Sequence, residues 1–254
     1  MRWSSAPDLV LHSKGQMNHH SAVGSGDHAA AHPLPATTSV SPAGWHRRRL
    51  LTFGLFLLCA ALCLLVVFRP FFASRFDLTL SDPGDGRFGI TILEHWTRVF
   101  HGQGQVASPN FFYPDQGVLG YSDGLLLIAI PFAVMRSLGL DRYLATQITT
   151  MLLTVVGLAA MFVLLRRVLR FDTLTALVGA GLFVISNMNY IAFVHIQLQL
   201  VVVIPAFFLL AAMYWEDRNS RPVVARVWIC TLGIMLGLFS ARPFTSRGSW
   251  LFAA

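Results

Sequence analysis

Residues 50–68, LLTFGLFLLCAALCLLVVF, form a nineteen-residue run without a charge, softened only by Thr52 and Gly54. At 1.5 Å per residue, a helix of that length crosses the hydrocarbon core of a bilayer, about 30 Å. In lipid every backbone polar group must be satisfied within the structure, which leaves a helix or a closed barrel. The run is too long and too far from the N-terminus for a cleaved signal peptide, so it reads as a spanning helix.

The remainder repeats the pattern. Apolar blocks follow at 124–140, 148–165, 174–194, 196–215 and 223–239, and the chain is 55% hydrophobic and only 12% charged. An ordinary soluble domain carries about twice that charged fraction. The expected fold is therefore all-α: a polytopic transmembrane helix bundle of about six segments, 47–240, with one long polar loop at 70–123. The block at 124–140 is the weakest, because its unbroken apolar part is only 125–135, Pro131 lies inside it and Arg136 can snorkel from its end. It reads as short or re-entrant.

Residues 1–46 are rich in Ser, Gly, Pro, Ala and His and have no apolar period, the composition of a disordered tail. The histidines there, including His19, His20 and His28, match no fixed metal spacing. Net charge is +7, but every positive residue except Lys14 is Arg, and most flank apolar blocks. Membrane lipid, not nucleic acid, is the expected partner. Cys59, Cys63 and Cys230 lie within apolar blocks as small hydrophobes and form no disulfide framework.

Orientation does not follow from charge counting. Arg47, Arg48 and Arg49 favour a cytoplasmic N-terminus, yet strict alternation of six spans then puts Arg166, Arg167 and Arg170 outside.

The loop at 70–123 holds six of the twelve acidic residues, Asp77, Asp82, Asp85, Glu94, Asp115 and Asp123. Asp82-Pro83-Gly84-Asp85-Gly86 reads as a tight turn leading into a helix over about 87–100. Phe88, Ile92, Trp96 and Val99, beside Leu93 and Phe100, make an apolar stripe, with Arg87, Thr91, Glu94 and Arg98 toward the other side. Such a helix lies on a membrane surface. Asp82 and Asp85 serve either as turn and N-cap residues or as a carboxylate that takes a proton from a hydroxyl nucleophile or holds a divalent cation. The aromatic stretch Phe111-Phe112-Tyr113-Pro114 suits anchoring at headgroup level, and Tyr121-Ser122-Asp123 suits capping of the next segment.

The order of these elements resembles bacterial membrane proteins of the GT-C glycosyltransferase superfamily over roughly residues 48–240. It comprises a first span, Ser81-Asp82-Pro83-Gly84-Asp85-Gly86, a surface helix ending His95-Trp96, Phe112-Tyr113-Pro114 and Tyr121-Ser122-Asp123. Ser186-Asn187-Met188-Asn189-Tyr190, His195-Ile196-Gln197-Leu198-Gln199 and Pro205 are similar to a later passage of the same proteins. The resemblance implies a multi-pass protein of the bacterial inner membrane that takes a sugar from a polyprenyl-phosphate-linked donor and transfers it, outside the cytoplasm, to an acceptor. It implies an outward-facing loop, Asp85 or Asp82 as catalytic base, and Glu94, His95, Tyr113, Tyr121 and Asp123 toward substrate. Arg166 and Arg167 then either meet the carrier phosphate or anchor the helix end to headgroups. His195 is expected to hydrogen-bond between helices.

Members of that superfamily carry more than six membrane helices, whereas here the apolar pattern breaks off at about residue 240. The ending reads as that of a truncated or frame-disrupted product. The competing expectations are a non-catalytic membrane subunit and a transporter or flippase of lipid-linked sugars.

Overall fold

The computed structural model describes residues 42–78, 84–110, 114–115, 117–121, 124–191 and 196–240. All regular structure among them is helical. Helix α1, Pro42–Val67, begins inside the stretch expected to be tail, because Pro42 stands at its first position with φ preset for a helix. The rest of the expected tail, and the C-terminal end 241–254, lie outside the described residues. A short α2, Arg69–Ala73, turns the chain, and α3, Asp85–Phe100, is the expected loop helix. Helices α4, Leu126–Ser137, and α5, Arg142–Val163, follow, the latter ending in a π-turn, Leu164–Val168. Then come α6, Thr173–Ile191, a 3-10 segment, Ile196–Val203, that runs into α7, Ile204–Asp217, and α8, Pro222–Ser240.

Among the described residues four helical stretches are long and apolar enough to cross a membrane: His46–Val67, Arg142–Val168, Leu200–Asp217 and Pro222–Phe239. Their outward faces leave large apolar side chains uncovered, among them Leu50, Phe53, Leu62, Phe208, Val223 and Ile234. A bilayer covers such a surface, whereas water does not tolerate it.

Helix α5 is the central element. Asp141 caps its N-terminus, its Oδ1 accepting from Tyr143 N at 2.8 Å and Leu144 N at 3.2 Å. Inside the bundle, Thr146, Thr150 and Thr154 donate their hydroxyls to the carbonyl four residues earlier, at 2.8–2.9 Å. These three hydroxyls are thereby satisfied within the helix, whereas the buried Thr149 hydroxyl has no hydrogen-bond partner among the described residues. Gln147, fully buried, donates to the Phe76 and Leu78 carbonyls just beyond α2. Gly157 allows the 3-10 segment to lie directly on α5, since a side chain there would strike Val202.

Helices α1 and α5 are antiparallel neighbours. Phe56 rests on Phe162 with ring centroids 5.7 Å apart, Arg48, Arg49 and Arg166 share one cavity at one end, and Gln147 meets Leu78 at the other. The chain between them therefore leaves and returns at one end of the bundle. Helix α4, twelve residues or about 18 Å long, does not cross. The segment expected over 124–140 is half a span, as its short apolar part and Pro131 foreshadow. Its lack of a crossing reverses the placing of the arginines from strict alternation: 47–49 and 166–170 lie at the same end. Arg167 pairs there with Glu216 of α7 at 3.1 Å, and Asp217 of α7 accepts from Trp228 Nε1 of α8 at 3.0 Å.

Candidate functional site

At the opposite end, α3 lies over α4, α5 and the 3-10 segment. Its buried side is formed by Gly86, Gly89, Ile90, Ile92, Leu93, His95 and Trp96. A Cβ at Gly89 would come within 2.5 Å of Ile196 Cγ2, so glycine sets the close approach. Trp96 Nε1 donates to the Gly124 carbonyl, and Glu94 Oε1 lies 2.6 Å from Arg136 Nε of α4. Neither of those two atoms has a hydrogen-bond partner among the described residues, so this half-buried pair holds by charge. Of the apolar stripe, Phe100 is 48% exposed, where the helix ends and the chain turns away.

The turn follows from Gly102, whose φ of 73° suits glycine. With it, Gln103 N bonds the Arg98 carbonyl at 2.8 Å and Gly102 N the Val99 carbonyl at 2.9 Å, closing a Schellman end. The chain then folds back beside α3, stitched by Leu119 N to Ala107 O at 3.2 Å and by Gly117 N to Ser108 Oγ at 3.0 Å.

Between this return and α3 lies a cavity of about 670 Å³. Thr91, His95 and Arg98 line it from α3, at spacings of four and three that bring them to one helix face. Gln103, Gln105, Ser108, Asn110 and Asp115 line it from the loop. His95 is buried, and its Nε2 lies 3.1 Å from the Val106 carbonyl oxygen. That oxygen can only accept, so Nε2 carries the hydrogen. The cavity therefore combines a guanidinium, a carboxylate, an imidazole and several amide and hydroxyl groups. Such a lining suits a hydroxyl-rich or phosphate-bearing ligand.

The residues expected to act together are distributed unevenly. His95 lines the cavity and Glu94, next to it, is engaged with Arg136. Asp85 is exposed in the first turn of α3, ten residues or about 15 Å along the helix from His95, and is outside the cavity lining. Arg166 and Arg167 lie at the other end of the bundle, where Arg167 is paired with Glu216. Asp82, Tyr113, Asp123 and His195 lie outside the described residues, and Tyr121 ends a 3-10 turn, Val118–Tyr121. Arg98 and Asp115 were missed as site residues. The signal for Arg98 was its spacing from Thr91 and His95; Asp115 carried none, since its position depends on how the loop folds back. Among the described residues no group of three or more His, Cys, Asp or Glu is placed to hold a metal ion.

Fold and surface define a multi-pass, all-α membrane protein. The chain matches no protein-family model, no curated protein and no solved structure.

Proposed function

We propose that this chain is a membrane glycosyltransferase-like protein that handles a polyprenyl-phosphate-linked sugar at the loop end of the bundle and passes the sugar to an acceptor on the non-cytoplasmic side. The supporting observation is the cavity beside α3, where Arg98, His95 and Asp115 are gathered at the mouth of a membrane bundle. A guanidinium matches phosphate oxygens and stabilises a departing phosphate. A carboxylate or imidazole takes the acceptor's proton, without which a neutral hydroxyl is a poor nucleophile. On this reading Asp115, rather than Asp85, is the carboxylate nearest the chemistry.

The orientation goes with the same reading. Among the described residues nine arginines cluster at helix termini at the end opposite the cavity: 47–49, 166, 167, 170, 218, 221 and 226. Six lie toward the cavity end, 69, 75, 87, 98, 136 and 142, spread over a connection of more than about sixty residues, the length beyond which loop charge loses its influence. The tightly grouped arginines therefore favour the cytoplasm, and a bacterial inner membrane suits that arrangement.

The test is transfer of labelled sugar from a polyprenyl-phosphate donor by the purified chain in nanodiscs. Transfer that falls at least about a hundredfold with Asp115→Asn and persists with Asp85→Asn supports the reading. Absence of both donor binding and transfer by well-folded protein defeats it. Donor binding without transfer favours a non-catalytic subunit.

A further inference from the structure

We infer that the cleft between the N-terminal end of α1 and the C-terminal end of α5 is a binding site for an anionic phospholipid, distinct from the cavity beside α3. The cleft has a volume of about 540 Å³. Its rim carries Arg48, Arg49 and Arg166, and its wall is Phe53, Phe56 and Phe162. Among the described residues three cations and no carboxylate line it, a positively charged rim over an apolar wall that favours an anion.

Local structure separates the roles of the arginines that follow α5. In the π-turn Leu164–Val168, Arg167 is directed to Glu216 of α7, at 3.1 Å, and its charge is balanced there. Arg166 lines the cleft instead, with Nη1 donating to the Phe171 carbonyl at 2.7 Å. That one bond fixes the side chain and leaves the guanidinium further donors for a phosphate. On α1, Thr52 donates to the Arg48 carbonyl at 3.0 Å, keeping the helix regular where the rim meets the apolar wall.

The wall identifies the occupant. Phe53 is 60% exposed and belongs to a membrane-spanning helix, so the cleft opens sideways to acyl chains as well as endways to headgroups. Phe56 and Phe162, tilted at 42°, form its floor. A soluble anion would use the rim and leave the aromatic wall bare. A phospholipid uses both: its phosphate meets the arginines, and the first part of an acyl chain lies on the rings.

The experiment is native mass spectrometry of the full chain released from nanodiscs of phosphatidylcholine with 20% phosphatidylglycerol. In the wild type the ratio of phosphatidylglycerol to phosphatidylcholine among retained lipids is expected to exceed that of the bilayer at least about tenfold. The triple variant Arg48→Gln, Arg49→Gln, Arg166→Gln is expected to lose that preference, while Arg218→Gln with Arg226→Gln, arginines at the same end but outside the cleft, keeps it. Ala159→Phe fills the cleft with every arginine intact and is expected to lose the lipid as well, which covers failure of the triple variant to fold. Retention by Ala159→Phe, equal loss with the Arg218 and Arg226 pair, or displacement of the lipid by millimolar inorganic phosphate alone would each overturn the proposal.

Discussion

Replacing Gly157 by alanine probes the tightest helix contact in the bundle. A Cβ there would overlap the Val202 carbonyl oxygen and lie 2.7 Å from Val202 Cγ2 and 2.9 Å from the carbonyl carbon. Carbon and oxygen approach ordinarily to about 3.3–3.6 Å, so relieving the overlap with the carbonyl oxygen requires α5 and the 3-10 segment to part by more than about 1 Å. The closest atom belongs to the main chain and cannot rotate away. Overpacking of this kind costs about 1–3 kcal/mol, against which alanine's better helix propensity returns up to about 1 kcal/mol. A net loss of about 1–2 kcal/mol is expected.

Two other glycines calibrate the measurement. A Cβ at Gly54 meets nothing within 4 Å, and one at Gly181 meets the Cys59 and Cys63 sulfurs at 3.5 and 3.6 Å, ordinary contact distances. Gly54→Ala and Gly181→Ala are expected to be neutral or slightly stabilising. Cys63, 3% exposed, gives a native probe: a thiol-reactive dye reports its exposure as the detergent-solubilised protein is heated. The midpoint should fall by several degrees for Gly157→Ala, at about 2–4 °C per kcal/mol for a chain of this size. Val202→Ala should rescue it only in part, because the carbonyl remains. Equal midpoints for Gly157→Ala and Gly54→Ala would show that α5 and the 3-10 segment are not in contact.

Asp217→Ala should destabilise the α7–α8 pair by about 1–3 kcal/mol, because it leaves the Trp228 N–H without its carboxylate, while Asp217→Asn keeps that bond and costs less; the same thermal assay distinguishes them. Asp172 caps α6, and hydrogen bonds from the Thr175 hydroxyl and N–H hold its carboxyl below the usual range. Its contribution is therefore complete above the ordinary carboxylate pKa of about 3.9 and is lost as pH falls through the lower folded value, so Asp172→Ala should lower stability at pH 7 and flatten the acid limb of a pH–stability curve. Exchanging the charges of the Glu94–Arg136 pair, as Glu94→Arg with Arg136→Glu, should recover most of the stability lost by either change alone, whereas two additive losses would rule out the pairing. In a background without native cysteines, Gln103→Cys should react with an impermeant maleimide added outside intact cells and Arg170→Cys should not; the reverse pattern would invert the proposed orientation.

The spanning helices were legible because a run such as 50–68 has one physical outcome in lipid. Helix α3 was also legible as a helix from its stripe at helical period, but that the stripe packs on α4, α5 and the 3-10 segment, where a membrane surface was expected, was not. Orientation was not. It depends on whether α4 crosses, and a block with Pro131 inside and Arg136 at its end is ambiguous until its packing on α3 and α5 is known. Half of the cavity was legible in the same sense: Thr91, His95 and Arg98 share a face by arithmetic, but Asp115 and Asn110 reach it only through the Gly102 turn and the stitching at Ser108 and Ala107. Asp85 drew notice as an acidic residue among glycines, a pattern that also marks a helix start, and it stands in the first turn of α3.

The shortness of α4 matters beyond its own packing. Each complete crossing inverts everything downstream, so a segment of twelve residues that enters without leaving on the far side acts as a parity bit for the whole C-terminal half. Extending 126–137 by the eight or so apolar residues that complete a span would reverse α5 to α8 during biosynthesis. The arginines after α5 would then be carried across the membrane while those before α1 stayed behind. The insertion machinery reads that parity once, at a helix whose sequence is close to the border between the two outcomes.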